Sequence, residues 1–176
     1  MKRFSLLVFF SFILLALVSP AARGEAFCYG LDVLDSQNFA QLRGKCVALI
    51  TNAAAVSRSG EPGYRVFLRN RVDLRFLMAP EHGFSLDHEA GQTVGSAGIA
   101  DTLKIYSLYG ASKKPDPALL KTIDVLVFDL QDAGVRCYTY ISTMKLAMEA
   151  CSEAGITFVV LDRPNPLAPL PASGFV

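Results

Sequence analysis

Several familiar signatures are missing from this 176-residue chain. No GxGxxG follows the first strand-like run, which weakens any dinucleotide reading. There is no Walker loop to cradle a triphosphate, and no GxSxG elbow to present a nucleophilic serine. The cysteines Cys28, Cys46, Cys137 and Cys151 form no CxxC pair, and no histidine stands at metal-ligand spacing from them, so zinc is not expected. A formal net charge of +1 leaves no concentrated basic face for phosphates, so nucleic acid is not expected as a partner. Low-complexity segments and internal repeats are also absent.

What is present begins with an export-like start. Lys2 and Arg3 precede an apolar run from Leu6 to Val18 broken only by Ser11, and Pro20, Ala21, Ala22 and Gly24 follow. The run falls short of the about 20 residues that span a bilayer. Residues 1–26 are therefore expected to be a cleaved signal peptide, giving an exported, periplasmic or extracellular protein with no stable membrane insertion after cleavage. Residues 27–176 then form one domain long enough for a real core. Export permits disulfides, but Cys46 starts an apolar run and Cys151 lies in a helical pattern, so free thiols are expected.

The rest of the chain alternates two periods. Strand-like runs occur at Cys46–Thr51, Val72–Ala79, Leu103–Leu108, Ile123–Leu130 and Ile156–Leu161. Helical patterns occur at Glu61–Asn70, in a short helix opened by Pro115 and Pro117 and running through Lys121 with Asp116 placed for the N-terminus, and at Tyr140–Ala154. In the last of these Ile141, Met144, Ala147, Met148 and Cys151 have helical spacing, and Gly155 supplies a C-terminal stop. Residues 81–100 read as a long loop. Apolar strands separated by helices indicate a mostly parallel sheet, buried on both faces, in a layered α/β domain.

Such sheets bind ligands beyond the carboxyl ends of their strands, and polar groups gather there. Asn52 follows the first run. Glu81 and His82 follow the second, and Tyr109 the third. Asp129, Gln131, Asp132, Arg136, Tyr138 and Tyr140 follow the fourth, and Arg163 and Asn165 the fifth. A shielded Glu81 can act as a general acid, or it can cap a helix or pair with an arginine. His82 is open to acid, base, ligand or plain loop roles. The run from Phe128 to Tyr140 suits sugar hydroxyls and carboxylates, and equally suits a buried network that stiffens a turn.

The motifs GLDVL (Gly30 to Leu34), LITN (Leu49 to Asn52), APEHG (Ala79 to Gly83), AGQTV (Ala90 to Val94), SLYG (Ser107 to Gly110), FDLQDAGVRCYTYISTM (Phe128 to Met144) and VLDRPNP (Val160 to Pro166) occur in that order. As an ordered set they resemble the exo-acting β-N-acetylmuramidase family, the NamZ-type proteins. The resemblance implies a Rossmann-like three-layer domain followed by a second domain, with the active site between them. It implies release of terminal N-acetylmuramic acid from the non-reducing end of peptidoglycan fragments, with no cofactor and no metal. It points to Glu81 as the acid and places the other strand-end residues on the family's motifs. Either Arg136 or Arg163 suits the lactyl carboxylate, and the second catalytic role falls to Asp129, Asp132 or Glu89, to a residue of the second domain, or to the substrate's own acetamido group.

The chain also departs from the family pattern. Ser85 and Leu86 stand where a basic residue and a glycine are usual. Gln92 replaces a glutamate, and Ala53 to Ala55 replace a polar stretch. A separately encoded C-terminal half is an expected partner, and a non-catalytic sugar-binding module or inactive remnant is the competing expectation.

Overall fold

The computed structural model describes residues 27–87, 89, 92, 99–100, 103–110, 112–168 and 170–174. The signal-peptide expectation for residues 1–26 lies outside them. The elements are α1 (Gly30–Ser36), a 3-10 turn (Ala40–Leu42), β1 (Cys46–Ile50), α2 (Gly63–Arg69), β2 (Asp73–Ala79), β3 (Ile99–Ala100), β4 (Leu103–Ser107), α3 (Pro117–Leu120), β5 (Val125–Phe128), α4 (Tyr140–Ala154) and β6 (Thr157–Val160).

The sheet order is β3-β4-β2-β1-β5-β6. All pairings are parallel except β3 with β4, where Ile99–Ala100 adds a short antiparallel edge inside the expected loop. Counting only the parallel strands, the order is 3-2-1-4-5, that of a doubly wound sheet. Its crossovers change direction between β1 and β5, where a crevice must open at the strand ends.

Alternation along the strands sorts the core into two layers. Val47, Leu49, Leu77, Val125 and Val127 face the side holding Leu31 and Leu34 of α1 and Val66 and Phe67 of α2. Ala48, Ile50, Met78, Leu126 and Phe128 face the side holding Leu120 of α3 and Ala147, Ala150 and Cys151 of α4. The expected α/β architecture with a mostly parallel sheet is thus observed, with helices on both faces.

The helix ends follow their local chemistry. Asp116 caps α3 by accepting from the Ala118 amide at 2.7 Å, with Pro117 at the first helical position. Gly155 ends α4 at φ 69°, and Ile156 N donates to Cys151 O at 3.0 Å. This is the six-residue closure that a left-handed glycine allows. α2 closes in the same way, with Val72 N donating to Phe67 O at 3.1 Å and Arg71 N to Leu68 O at 2.9 Å. There the left-handed position is held by Arg71, at φ 58°.

Two expectations need correction. The run Ile156–Leu161 is not buried on both faces, because β6 is the edge strand and Val160 is 45% exposed. The apolar stripe of α4 is also narrower than expected. Ala147 and Cys151 are buried, while Ile141 and Met148 are 53% and 49% exposed, because the helix packs along β6, the edge strand among the described residues. All four cysteines are free thiols. Burial pushes the Cys151 thiol up to about 11.

Candidate active site

The site grows from the carboxyl ends of four strands. Beyond β1, Asn52 is buried and its Oδ1 accepts from the Ala54 amide at 3.1 Å, holding the turn. Its Nδ2 donates to the Tyr140 hydroxyl at 3.0 Å. That bond crosses the crevice between β1 and the segment leaving β5, at the point where the sheet reverses its winding.

Beyond β2, the turn 80–83 closes through Gly83 N donating to Pro80 O at 3.1 Å. His82 occupies its third position at φ 71°, a left-handed conformation costly for a side chain larger than glycine. Local strain of this kind concentrates at functional turns. Here it keeps Glu81 in the second position, 6% exposed. The turn is anchored on both sides. Ala53 N donates to Phe84 O at 2.8 Å, and the Phe84 ring packs edge-on against Tyr64 of α2 at 5.7 Å.

Beyond β4, Tyr109 hydrogen-bonds to the Glu81 carboxylate, and this contact, followed by desolvation, raises the Tyr109 pKa above its ordinary value. Lys113 Nζ lies 4.9 Å from the centre of the Tyr109 ring on the solvent side. Tyr140, at the start of α4, is also raised, first by burial and then by hydrogen bonding with Tyr138, with a further contribution from the charge of Glu81. The rings of Tyr138 and Tyr140 are 4.6 Å apart. Asn52, Glu81, Tyr109, Tyr138 and Tyr140 therefore form one cluster, a buried carboxylate ringed by phenols and an amide.

Asp129 and Arg163 lie apart from it. Arg163 Nε donates to Asp129 Oδ1 at 2.7 Å, with the two side chains 4% and 0% exposed. Arg163 Nη1 donates to Val56 O at 3.0 Å, and the guanidinium stacks on Tyr29 at 5.1 Å. Burial raises the Asp129 pKa, Arg163 opposes the rise, and nearby Asp32 adds to it. A β-carbon on Gly63 would come within 2.8 Å of Asp129 Oδ2. This is a buried pair, a strut joining β5, β6 and the start of α2, in which Asp129 Oδ2 and Arg163 Nη2 have no hydrogen-bond partner among the described residues and Arg163 also lines a hollow.

The separation follows from the period of two. Asp129 continues the face of Val125 and Val127, whereas Asn52 continues the face of Ala48 and Ile50. That alternation was a usable sequence signal. Tyr29, Asp32 and Val56, which complete the strut, carried no such signal.

The remaining expected residues serve the loops. Gln131 Nε2 donates to Asp132 O at 2.8 Å and Pro164 O at 2.9 Å. Asp132 Oδ1 accepts from Gly134 N at 2.6 Å, and Asn165 Oδ1 accepts from Leu167 N at 2.9 Å. Arg136 is exposed, and so is Glu89. A hollow of about 150 Å³ opens beside the cluster, lined by Phe128, Leu130, Tyr140, Ile141, Met144 and Val160 with Asp132 and Arg163 on its polar side. Among the described residues no group of three or more His, Cys, Asp or Glu is arranged to hold a metal ion. No described helix is long and apolar enough to cross a membrane.

A buried glutamate beyond β2, one strand from the switch point of a doubly wound sheet and hydrogen-bonded by the Tyr109 hydroxyl, is the chemistry of a carboxylate-dependent site. Residues 47–176 match the family described as exo-beta-N-acetylmuramidase NamZ, N-terminal, and the chain belongs to that family. One similar protein is the peptidoglycan beta-N-acetylmuramidase NamZ of Bacillus subtilis (strain 168). It is 49% identical over 139 residues, which cover 78% of this chain and 34% of that one. Two crystal structures of DUF1343 family proteins from Bacteroides fragilis share the fold. One has a TM-score of 0.72 at 45% identity, over 80% of this chain and 35% of that one. The other has a TM-score of 0.63 at 29% identity, over 79% and 35%. The chain spans about a third of the length of these relatives.

Proposed function

We propose that this chain is the N-terminal part of an exported glycoside hydrolase that releases terminal N-acetylmuramic acid from the non-reducing end of peptidoglycan fragments. The observation that carries the reading is Glu81, a buried carboxyl beyond the end of β2 with the Tyr109 hydroxyl on it. Glu81 is the proton donor to the leaving oxygen, and Asn52, Tyr138 and Tyr140 orient sugar hydroxyls. The name of the Bacillus subtilis relative supports the substrate class, and the signal-like start supports export. Arg163 pairs with Asp129 yet keeps an Nη2 unpartnered among the described residues and lines the hollow beside the cluster, so both Arg163 and Arg136 stand as groups for the lactyl carboxylate.

One observation favours a second reading, a cell-wall sugar-binding module. Glycosidases of the common kind use two carboxyls across the bond. Asp129 is locked to Arg163, Asp132 closes a turn, and Glu89 is exposed. The described rim therefore offers one carboxyl placed for the reaction.

A chromogenic N-acetylmuramide separates the two. Hydrolysis by the purified chain that is lost in Glu81→Gln supports the hydrolase. Sugar binding without turnover, unchanged in Glu81→Gln, supports the module. Absence of both turnover and binding overturns both readings.

A further inference from the structure

The unguarded edge of the sheet has a use that does not depend on whether Glu81 performs hydrolysis. Thr157 N and Leu161 N donate inward to Asp124 O and Phe128 O at 3.2 and 2.9 Å. Alternation in a parallel ladder then turns the peptide groups of Phe158 and Val160 outward, away from β5. Among the described residues β6 is the last strand on that side. The opposite edge differs, since β4 is covered by the antiparallel β3.

Exposed strand edges are normally protected by lysine, proline or a bulge. β6 reads Thr157-Phe158-Val159-Val160 and has none of these. Beside it runs an apolar strip. Ile141, Met144 and Val160 line one hollow, and Met148 lies one helical turn beyond Met144 on the same flank. Ile141, Met148 and Val160 are each 45–53% exposed.

We propose that the edge of β6, with this strip, seats a further parallel strand supplied by the two thirds of a NamZ-type polypeptide that lie outside the matched segment. Three observations select that occupant. The parallel strands already follow 3-2-1-4-5, and the doubly wound order places its sixth strand beside the fifth, on this edge. The relatives are about three times longer than the segment they share with this chain, so they have polypeptide to provide it. A second copy meeting this edge across a twofold axis would pair antiparallel, against the order the sheet has established.

Amide hydrogen exchange tests the proposal in a chimaera that joins this chain to the unmatched C-terminal part of Bacillus subtilis NamZ, and in the same two polypeptides mixed in trans. Exchange at Phe158 and Val160 is expected to slow at least tenfold relative to the chain alone. Val160→Pro removes an outward amide while sparing the ladder to β5, and Met148→Lys places a charge on the strip. Each is expected to weaken association in trans at least tenfold while the far-ultraviolet circular dichroism of the chain is retained. The proposal is overturned if these two amides exchange at the free-chain rate in a folded chimaera, or if association survives both substitutions. It is equally overturned if the chain alone sediments as a dimer with both amides already protected.

Discussion

Asn52 Nδ2 and the Tyr140 hydroxyl, 88 positions apart in sequence, meet at 3.0 Å across the crevice of the sheet. Both residues are buried. Tyr140→Phe removes the acceptor while keeping the ring, which leaves the Asn52 amide short of a partner where water cannot replace it. The expected loss is about 1–3 kcal/mol. Calorimetry should show a fall in melting temperature of several degrees at unchanged secondary structure.

The buried pair Asp129 and Arg163 predicts a different pattern. Arg163→Met leaves an uncompensated carboxylate in the core and is expected to cost about 3–5 kcal/mol. Asp129→Leu strands the guanidinium with a comparable loss. The double variant should be clearly more stable than the sum of the two losses implies, because neither charge remains. Urea unfolding of the four proteins gives the coupling directly. Additive losses would mean that the two residues act independently.

A stabilising substitution is available at Arg71. It sits at φ 58° in the closing turn of α2, where Gly155 serves α4. A left-handed non-glycine residue costs roughly 1–2 kcal/mol, and glycine returns part of that gain through the unfolded chain. Arg71→Gly is expected to add up to about 1 kcal/mol of stability, measured as a higher denaturation midpoint at constant slope.

Tyr109 reports on Glu81. A carboxylate that accepts the phenol proton favours the neutral phenol, which is why the Tyr109 pKa is raised. Removing the acceptor reverses the sign. In Glu81→Ala the Tyr109 absorbance change on ionisation should move to lower pH, toward the ordinary value of 10.0. Ultraviolet titration of the variant against the parent, with Tyr109→Phe to assign the signal, makes the comparison. A titration curve that stays in place would break the link between the two side chains.

Much of the fold was legible because local signals were strong. Gly155 fixed the end of α4, and Asp116-Pro117 fixed the start of α3. α1 was not legible. Its apolar positions Leu31 and Leu34 span too few residues to show a period, and Gly30 is set by a distant contact, since a β-carbon there would come 2.6 Å from the Asp162 amide. The edge position of β6 was hidden as well, because ITFVVL is as apolar as a central strand and composition does not reveal neighbours. In the site, most candidates follow a strand end, with Tyr140 instead opening α4, yet nearness to a strand end does not say which face a side chain takes. The facing direction is what separates the Asp129–Arg163 strut from the Glu81 cluster.

The residues around Glu81 hang from β1, β2, β4 and the segment after β5, four neighbouring strands whose order in the sheet, β4-β2-β1-β5, differs from their order along the chain. A fragment of the sheet that lacks any one of these four strands loses part of the arrangement. Affinity for a sugar is therefore a property of the fully assembled domain, and a ligand that occupies the crevice must draw on the cooperative unfolding of all the strands rather than on one loop. Saturating the site would raise the unfolding temperature of the whole molecule in a single transition, so heat alone can screen for the natural ligand without any knowledge of the reaction.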